Sequence, residues 1–121
     1  MCSEAEAAMK QPALIDSTQM KELLKGQTKP LFVDVRQAKE YAAGRIPGAI
    51  NIPLDDMPQR WSTLPKDHLI VLYEGGRSGD ICASARAAGR ILLEHGYAFS
   101  LVKVYQDGLA GWEKSGLQTT K

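Results

Sequence analysis

The sequence predicts an α/β domain, a small and mainly parallel central sheet of about five strands with helices on both faces. Three observations predict it. Short runs of branched and aromatic residues alternate with stretches of helical apolar spacing, the connections are short, and the most apolar run, "HLIVLY" (68–73), lies mid-chain. Strands that alternate with helices form parallel crossover units, and a strand with no polar alternation is one buried on both faces.

The elements follow in order. "MCSEAEAAMKQP" (1–12) is small, polar and aperiodic, so a disordered arm is expected before a domain over 13–118 and a tail at 119–121. Asp16 and Ser17 offer N-cap oxygens to a helix over "TQMKELLK", and Gly26 stops it. "PLFVDV" (30–35) is a strand bounded by Pro30. "QAKEYAAG" (37–44) is a short helix ended by Gly44, and "IPGAINIP" (46–53) is a turn followed by a short strand. "LDDMPQRWSTL" is a weak helix because of Pro58. "HLIVLY" is the central strand. After a glycine-rich loop come a helix over 81–96, a strand "LVKVY" (101–105) and a short helix over 108–116.

Composition narrows the function classes. A chain of 121 residues is one domain, and its 44% hydrophobic and 24% charged residues are those of an ordinary globular protein. The net charge of +1 offers no nucleic-acid footprint and no polybasic membrane patch. No apolar run approaches the ~20 residues of a membrane span. Cys2 and Cys82 are the two cysteines, which makes neither a metal cluster nor a disulfide expected. Met-Cys-Ser is also the start left when a bacterial lipoprotein signal is cut just before its lipidated cysteine. Two localisations are therefore expected: periplasmic or membrane-anchored through Cys2 in that case, cytoplasmic otherwise.

In parallel sheets the ligand crevice lies beyond the carboxyl ends of the strands. The loop "EGGRSGDIC" (74–82) leaves the central strand there. Gly75, Gly76 and Gly79 allow positive φ values that curl backbone N–H groups toward a common centre, and Arg77 and Ser78 supply further donors. With Asp80 and Ile81 these residues form a candidate anion-binding loop running from Glu74 to Cys82. Asp34, Arg36 and Glu40, at a strand end and a helix start, suit a fold-holding charge network built on a carboxylate–guanidinium fork. Trp61 and Trp112 are core or helix-packing residues, and His68 and His95 are structural or solvated.

From about Leu14 to Leu117 the chain resembles the rhodanese-like domain family. "DVRQAKEYAAGRIPGAINIP" is similar to the family's Asp-x-Arg, Glu, Gly-His-Ile-Pro-Gly-Ala-x-Asn-Ile-Pro stretch, with Arg45 where histidine is usual. "WSTLPKDHLIVLY" resembles the segment before the active loop. "GYAFSLVKVYQDGLAGWEKSGL" resembles the closing Gly-Tyr, strand, Gly-Gly and Trp segment, with Asp107 in place of the first glycine. The resemblance implies sulfur transfer without a cofactor, from thiosulfate or a persulfide donor to an acceptor thiol or protein. It carries no implication of nucleic-acid binding or of a particular oligomeric state.

The family nucleophile is a cysteine directly after the central strand, and here that position is Glu74. A carboxylate cannot carry a persulfide. Cys82 is the remaining candidate, at the place where some family members carry the second cysteine of a Cys-x4-Cys loop, although the interval here is longer by three residues. Cys82 is either a thiolate activated at a helix start or a small apolar residue packing that helix. Glu74 either fills the loop with its own carboxylate or points outward while the loop binds an external anion. The expected functions are thus a sulfurtransferase using Cys82 and an inactive module that binds an anion or protein partner through the loop. A phosphatase cradle is not expected, because no cysteine stands at the required Cys-x5-Arg spacing; Cys82 to Arg86 is too short.

Overall fold

The computed structural model describes residues 11–76 and 83–121. Its strands are Ala13–Ile15 (β1), Leu31–Asp34 (β2), Ile50–Asn51 (β3), Ile70–Tyr73 (β4) and Val102–Tyr105 (β5). All pair in parallel, in the order β1-β5-β4-β2-β3, so the run 68–73 supplies the middle strand. The helices are Ser17–Leu24 (α1), Ala38–Ala43 (α2), Met57–Arg60 (α3), Ala83–Glu94 (α4) and Gly108–Lys114 (α5).

Two differences from the expected elements have local causes. β1 gave no signal, being three residues long; it is a strand because Ala13, Leu14 and Ile15 pair with Lys103, Val104 and Tyr105 of β5. The weak helix 54–64 breaks into two 3₁₀ turns flanking α3, with Pro58 in the first turn of α3, where its missing N–H costs nothing. Elsewhere the local chemistry acts as expected. Asp16 caps α1 in a capping box, accepting from the Gln19 N–H at 2.9 Å while its own N–H donates to the Gln19 side chain at 2.8 Å.

The sheet separates two cores. Val33, Ile70, Leu72, Val102 and Val104 meet Ala85, Ala88 and Leu92 of α4 on one face. Ile15, Phe32, Val71, Tyr73 and Tyr105 meet Met20 of α1 and Leu109 and Trp112 of α5 on the other. Period-two alternation along buried strands delivers successive residues to opposite cores. Trp112 packs edge-on against Phe32 with ring centroids 5.8 Å apart. Trp61 lies 3.9 Å from the His95 ring in a parallel stack, and the His68 ring is 2.9 Å from the Lys29 carbonyl oxygen.

Burial of the tyrosines sets an alkaline limit. Tyr73 is fully buried at the end of β4, and its hydroxyl oxygen accepts the Ile46 N–H at 3.1 Å. Burial first, and the Asp34 carboxylate second, raise its phenol above the ordinary value of 10.0. Burial raises Tyr97 and Tyr105 in the same direction. The native state therefore holds these protons more tightly than the unfolded chain. The resulting stabilisation is complete below the unfolded pKa of about 10 and is lost as pH rises beyond it. Chemical denaturation between about pH 8 and 11 should show a flat midpoint, then a fall, and Tyr73→Phe should make the fall shallower. A midpoint constant to the upper limit would contradict the assignment.

Candidate functional site

The chain leaves β2 and β4, neighbours in the sheet, toward opposite faces. α2, which follows β2, packs Tyr41 into the core shared with α5, whereas α4, which follows β4, packs into the other core. Beyond the carboxyl ends of two such strands a crevice opens, the usual ligand position in parallel sheets. A cavity of about 420 Å³ lies there. Val35, Arg36, Gln37 and Glu40 line it after β2, Glu74, Gly75 and Gly76 after β4, and Leu54, Asp55 and Ser84 complete it.

Arg36, which lines the cavity, is held by an ion pair with Asp34. Asp34 is fully buried, and Arg36 reaches back to it with Nε at 3.0 Å from Oδ1 and Nη2 at 2.8 Å from Oδ2. The two-residue spacing brings the Arg36 backbone N–H onto the same carboxylate at 3.0 Å. Nη2 also donates to the Gly44 carbonyl at 2.6 Å. Burial opposes the charge on Arg36, but the hydrogen bonds and charge of Asp34 outweigh it and hold the guanidinium above its ordinary value. The Asn51 amide bonds the carbonyls of Asp34 and Arg36 at 2.9 and 3.0 Å, locking the chain where it leaves the sheet. Glu40 is exposed on α2, acting on Arg36 through its charge rather than within the fork. Among the described lining residues Arg36 is the one cation, with Glu40, Asp55 and Glu74 as carboxylates.

The start of the loop rests on the start of α5. The carbonyls of Glu74 and Gly75 accept the N–H groups of Leu109 and Ala110 at 2.8 and 2.9 Å. Gly76 and Gly108 both have positive φ, 76° and 63°. A Cβ on Gly76 would overlap the Asp107 carbonyl, and one on Gly108 would lie 2.6 Å from the Glu74 oxygen and 2.7 Å from the Gly76 nitrogen. Two backbones this close need glycine on both sides.

The structure thus brings Glu74, Gly75 and Gly76 together with Arg36 and Glu40 around one cavity, with Arg36 tied to the buried Asp34. Arg77, Ser78, Gly79, Asp80, Ile81 and Cys82 lie outside the described residues. Asn51, Asp55, Ser84 and Asp107 were not among the candidates read from the sequence. Asn51 stood in a matched motif but carries no reactive group, and Asp55 and Ser84 belong to separate helical segments with nothing in sequence to join them.

Comparison with known proteins agrees with the fold. The family model of the rhodanese-like domain matches residues 16–115. A sulfurtransferase of Allochromatium vinosum is 34% identical over 85% of this chain and 90% of its own length. A putative sulfurtransferase of Bacillus subtilis, YtwF, is 32% identical over 82% of this chain and 88% of its own. The rhodanese-like domain of the Anabaena protein Alr3790 superposes with a TM-score of 0.71 at 27% identity, covering 88% of this chain and 77% of that one. A rhodanese-related protein of Thermoplasma volcanium superposes with a TM-score of 0.72 at 23% identity, over 89% of this chain and 97% of that one, a likeness of fold.

Proposed function

The chain belongs to the rhodanese-like domain family, and from that premise we propose that it transfers sulfane sulfur through a persulfide on Cys82. The observation that carries this reading is chain connectivity at the cavity. Cys82 is bonded to Ala83, the first residue of α4, and Ser84, one residue further, lines the cavity. A thiol beside a helix start is shifted toward thiolate by the dipole and the free N–H groups. The sulfurtransferase names of two relatives above 30% identity point the same way.

The reaction has two displacements. The Cys82 thiolate attacks the outer sulfur of thiosulfate or of a donor persulfide. A new S–S bond forms, the donor's S–S bond breaks, and its electron pair leaves with sulfite or the donor thiolate. An acceptor thiolate then attacks the sulfane sulfur, departs as its own persulfide and releases the Cys82 thiolate. Glu74, standing where the family nucleophile usually stands, carries no sulfur. Asp34 holds the lining residue Arg36 in place and the α5 amides hold the loop start.

Mass spectrometry after exposure to thiosulfate or a low-molecular-weight persulfide tests this. The peptide containing Cys82 should gain one sulfur atom, Cys2→Ser should retain the gain, and Cys82→Ser should lose it together with turnover, by about 10³-fold or more as for other lost nucleophiles. Sulfur found on Cys2 alone, or on neither cysteine, ends the reading. The second reading is a non-catalytic module binding an anion or protein partner through residues 74–82. Glu74 at the nucleophile position favours it, and it requires binding that changes with Glu74→Ala or Arg77→Ala without turnover.

A further inference from the structure

The charges along the cavity beyond β2 and β4 do not balance. Its one cation among the described lining residues, Arg36, is matched by the buried Asp34 at 2.8 and 3.0 Å. Glu40, Asp55 and Glu74 add three further carboxylates to the same lining. Each is placed by the fold. Glu74 follows β4 directly. Glu40 stands in the first turn of α2, which the Tyr41 hydroxyl ties down by donating to the Ala49 carbonyl at 2.6 Å. Asp55 lies in the 3₁₀ turn Leu54–Asp56, fixed beside the end of β2 because the Leu54 N–H donates to the Val35 carbonyl at 3.2 Å. Among the described residues, the carboxylates of Glu40 and Asp55 make no hydrogen bond or ion pair. The opposing positive terms are smaller. A helix start is equivalent to about half a positive charge. By sequence the rest of the loop carries Arg77 and Asp80, one of each sign. The whole chain has a net charge of +1, so the negative lining is a local feature of this cavity.

We propose that Glu40 and Asp55 make this cavity selective for a small cation over an anion, so that the sulfur donor is an ammonium-bearing persulfide and not the thiosulfate dianion. A concave wall of one sign, backed by protein, concentrates counter-ions and repels ions of its own sign. Thiosulfate meets that field with two negative charges. An ammonium in the same molecule as the sulfane sulfur is drawn in by it, as in 2-aminoethyl persulfide. The volume of about 420 Å³ admits a molecule of this size. The displacement keeps its form: the outer sulfur passes to the attacking thiolate, and 2-aminoethanethiolate leaves with the electron pair of the broken S–S bond. The choice of donor rests on the sulfur-transfer reading, whereas the polarity of the cavity does not.

A reporter thiol in the lining tests the polarity without Cys82. Ser84→Cys, in a chain also carrying Cys2→Ser and Cys82→Ser, is treated with trimethylammonioethyl or sulfonatoethyl methanethiosulfonate, a cation and an anion. Each rate is divided by that of the same reagent with 2-mercaptoethanol. The corrected cation-to-anion ratio should be about tenfold or more at low salt and fall toward one at about 0.5 M salt. Adding Glu40→Gln and Asp55→Asn together should lower the low-salt ratio by about fivefold. A ratio at or below one, a ratio unmoved by the two substitutions, or a thiol that reacts with neither reagent overturns the proposal. With Cys82 present, the same two substitutions should slow sulfur uptake from 2-aminoethyl persulfide and quicken it from thiosulfate. Uptake indifferent to them overturns the assignment of the donor. Should Cys82 take up sulfur from neither donor while the reporter ratio holds, the sulfur-transfer reading fails and the cavity polarity stands. Sulfur uptake with a reporter ratio of one removes the polarity and leaves sulfur transfer in place.

Discussion

Replacing Asp34 by alanine is expected to destabilise the domain by about 3–5 kcal/mol, the cost of stranding a buried charge. The Arg36 side chain is only 11% exposed and would lose its carboxylate partner, keeping of its present bonds the one to the Gly44 carbonyl. The Arg36 backbone N–H would lose its acceptor as well. Set against a total of about 5–15 kcal/mol for a domain, this is a large fraction. Asp34→Asn keeps an acceptor for the backbone N–H and should lose less, about 1.5–3 kcal/mol. Urea denaturation of both variants checks the ranking. A loss below about 1 kcal/mol for Asp34→Ala would mean that the pair is screened like a surface salt bridge. Arg36 would then have no rigid anchor at the cavity.

The second large effect lies at the glycine contact between the loop and α5. Gly108→Ala forces a side chain into a left-handed backbone, costing roughly 1–2 kcal/mol. The new Cβ would also meet the Glu74 carbonyl at 2.6 Å and the Gly76 nitrogen at 2.7 Å, both backbone atoms that cannot swing aside. Overpacking of this kind adds about 1–3 kcal/mol, and relief requires breaking the Leu109-to-Glu74 hydrogen bond. Gly48→Ala is the informative control. Gly48 also has a positive φ, 84°, but faces open space, so it should incur the backbone cost alone. Equal losses in thermal or chemical denaturation would show that the contact at Gly108 yields easily. A Gly108→Ala variant should also weaken sulfur uptake at Cys82, since the loop start can no longer sit on α5.

Much of the fold was legible because its signals are local. The Asp16 N-cap, the branched runs 31–34, 70–73 and 102–105, and Gly96 after α4, with φ of 90°, each act within a few residues. The place of the cavity was legible too, since chain order alone predicts a crevice beyond the central strand. What stayed hidden was every contact between segments far apart in the chain. Asp107 read as a departure from a glycine pattern, and nothing in sequence joined it to Ser17, ninety residues away. The strand character of 13–15 was equally invisible, because three residues show no periodicity and β5 supplies all their pairing.

By itself the sequence determined the α/β alternation, the central position of the apolar run 68–73 and the absence of a cysteine directly after it. These depend on residue identity and short spacing. The tertiary structure alone decided that the Asp34 carboxylate lies wholly buried beneath Arg36, that Glu40, Asp55 and Ser84 share one cavity, and that the loop start docks on α5 through paired glycines. The physical reason is that burial and hydrogen-bond partnership belong to pairs of surfaces, and a linear chain does not say which surfaces will meet.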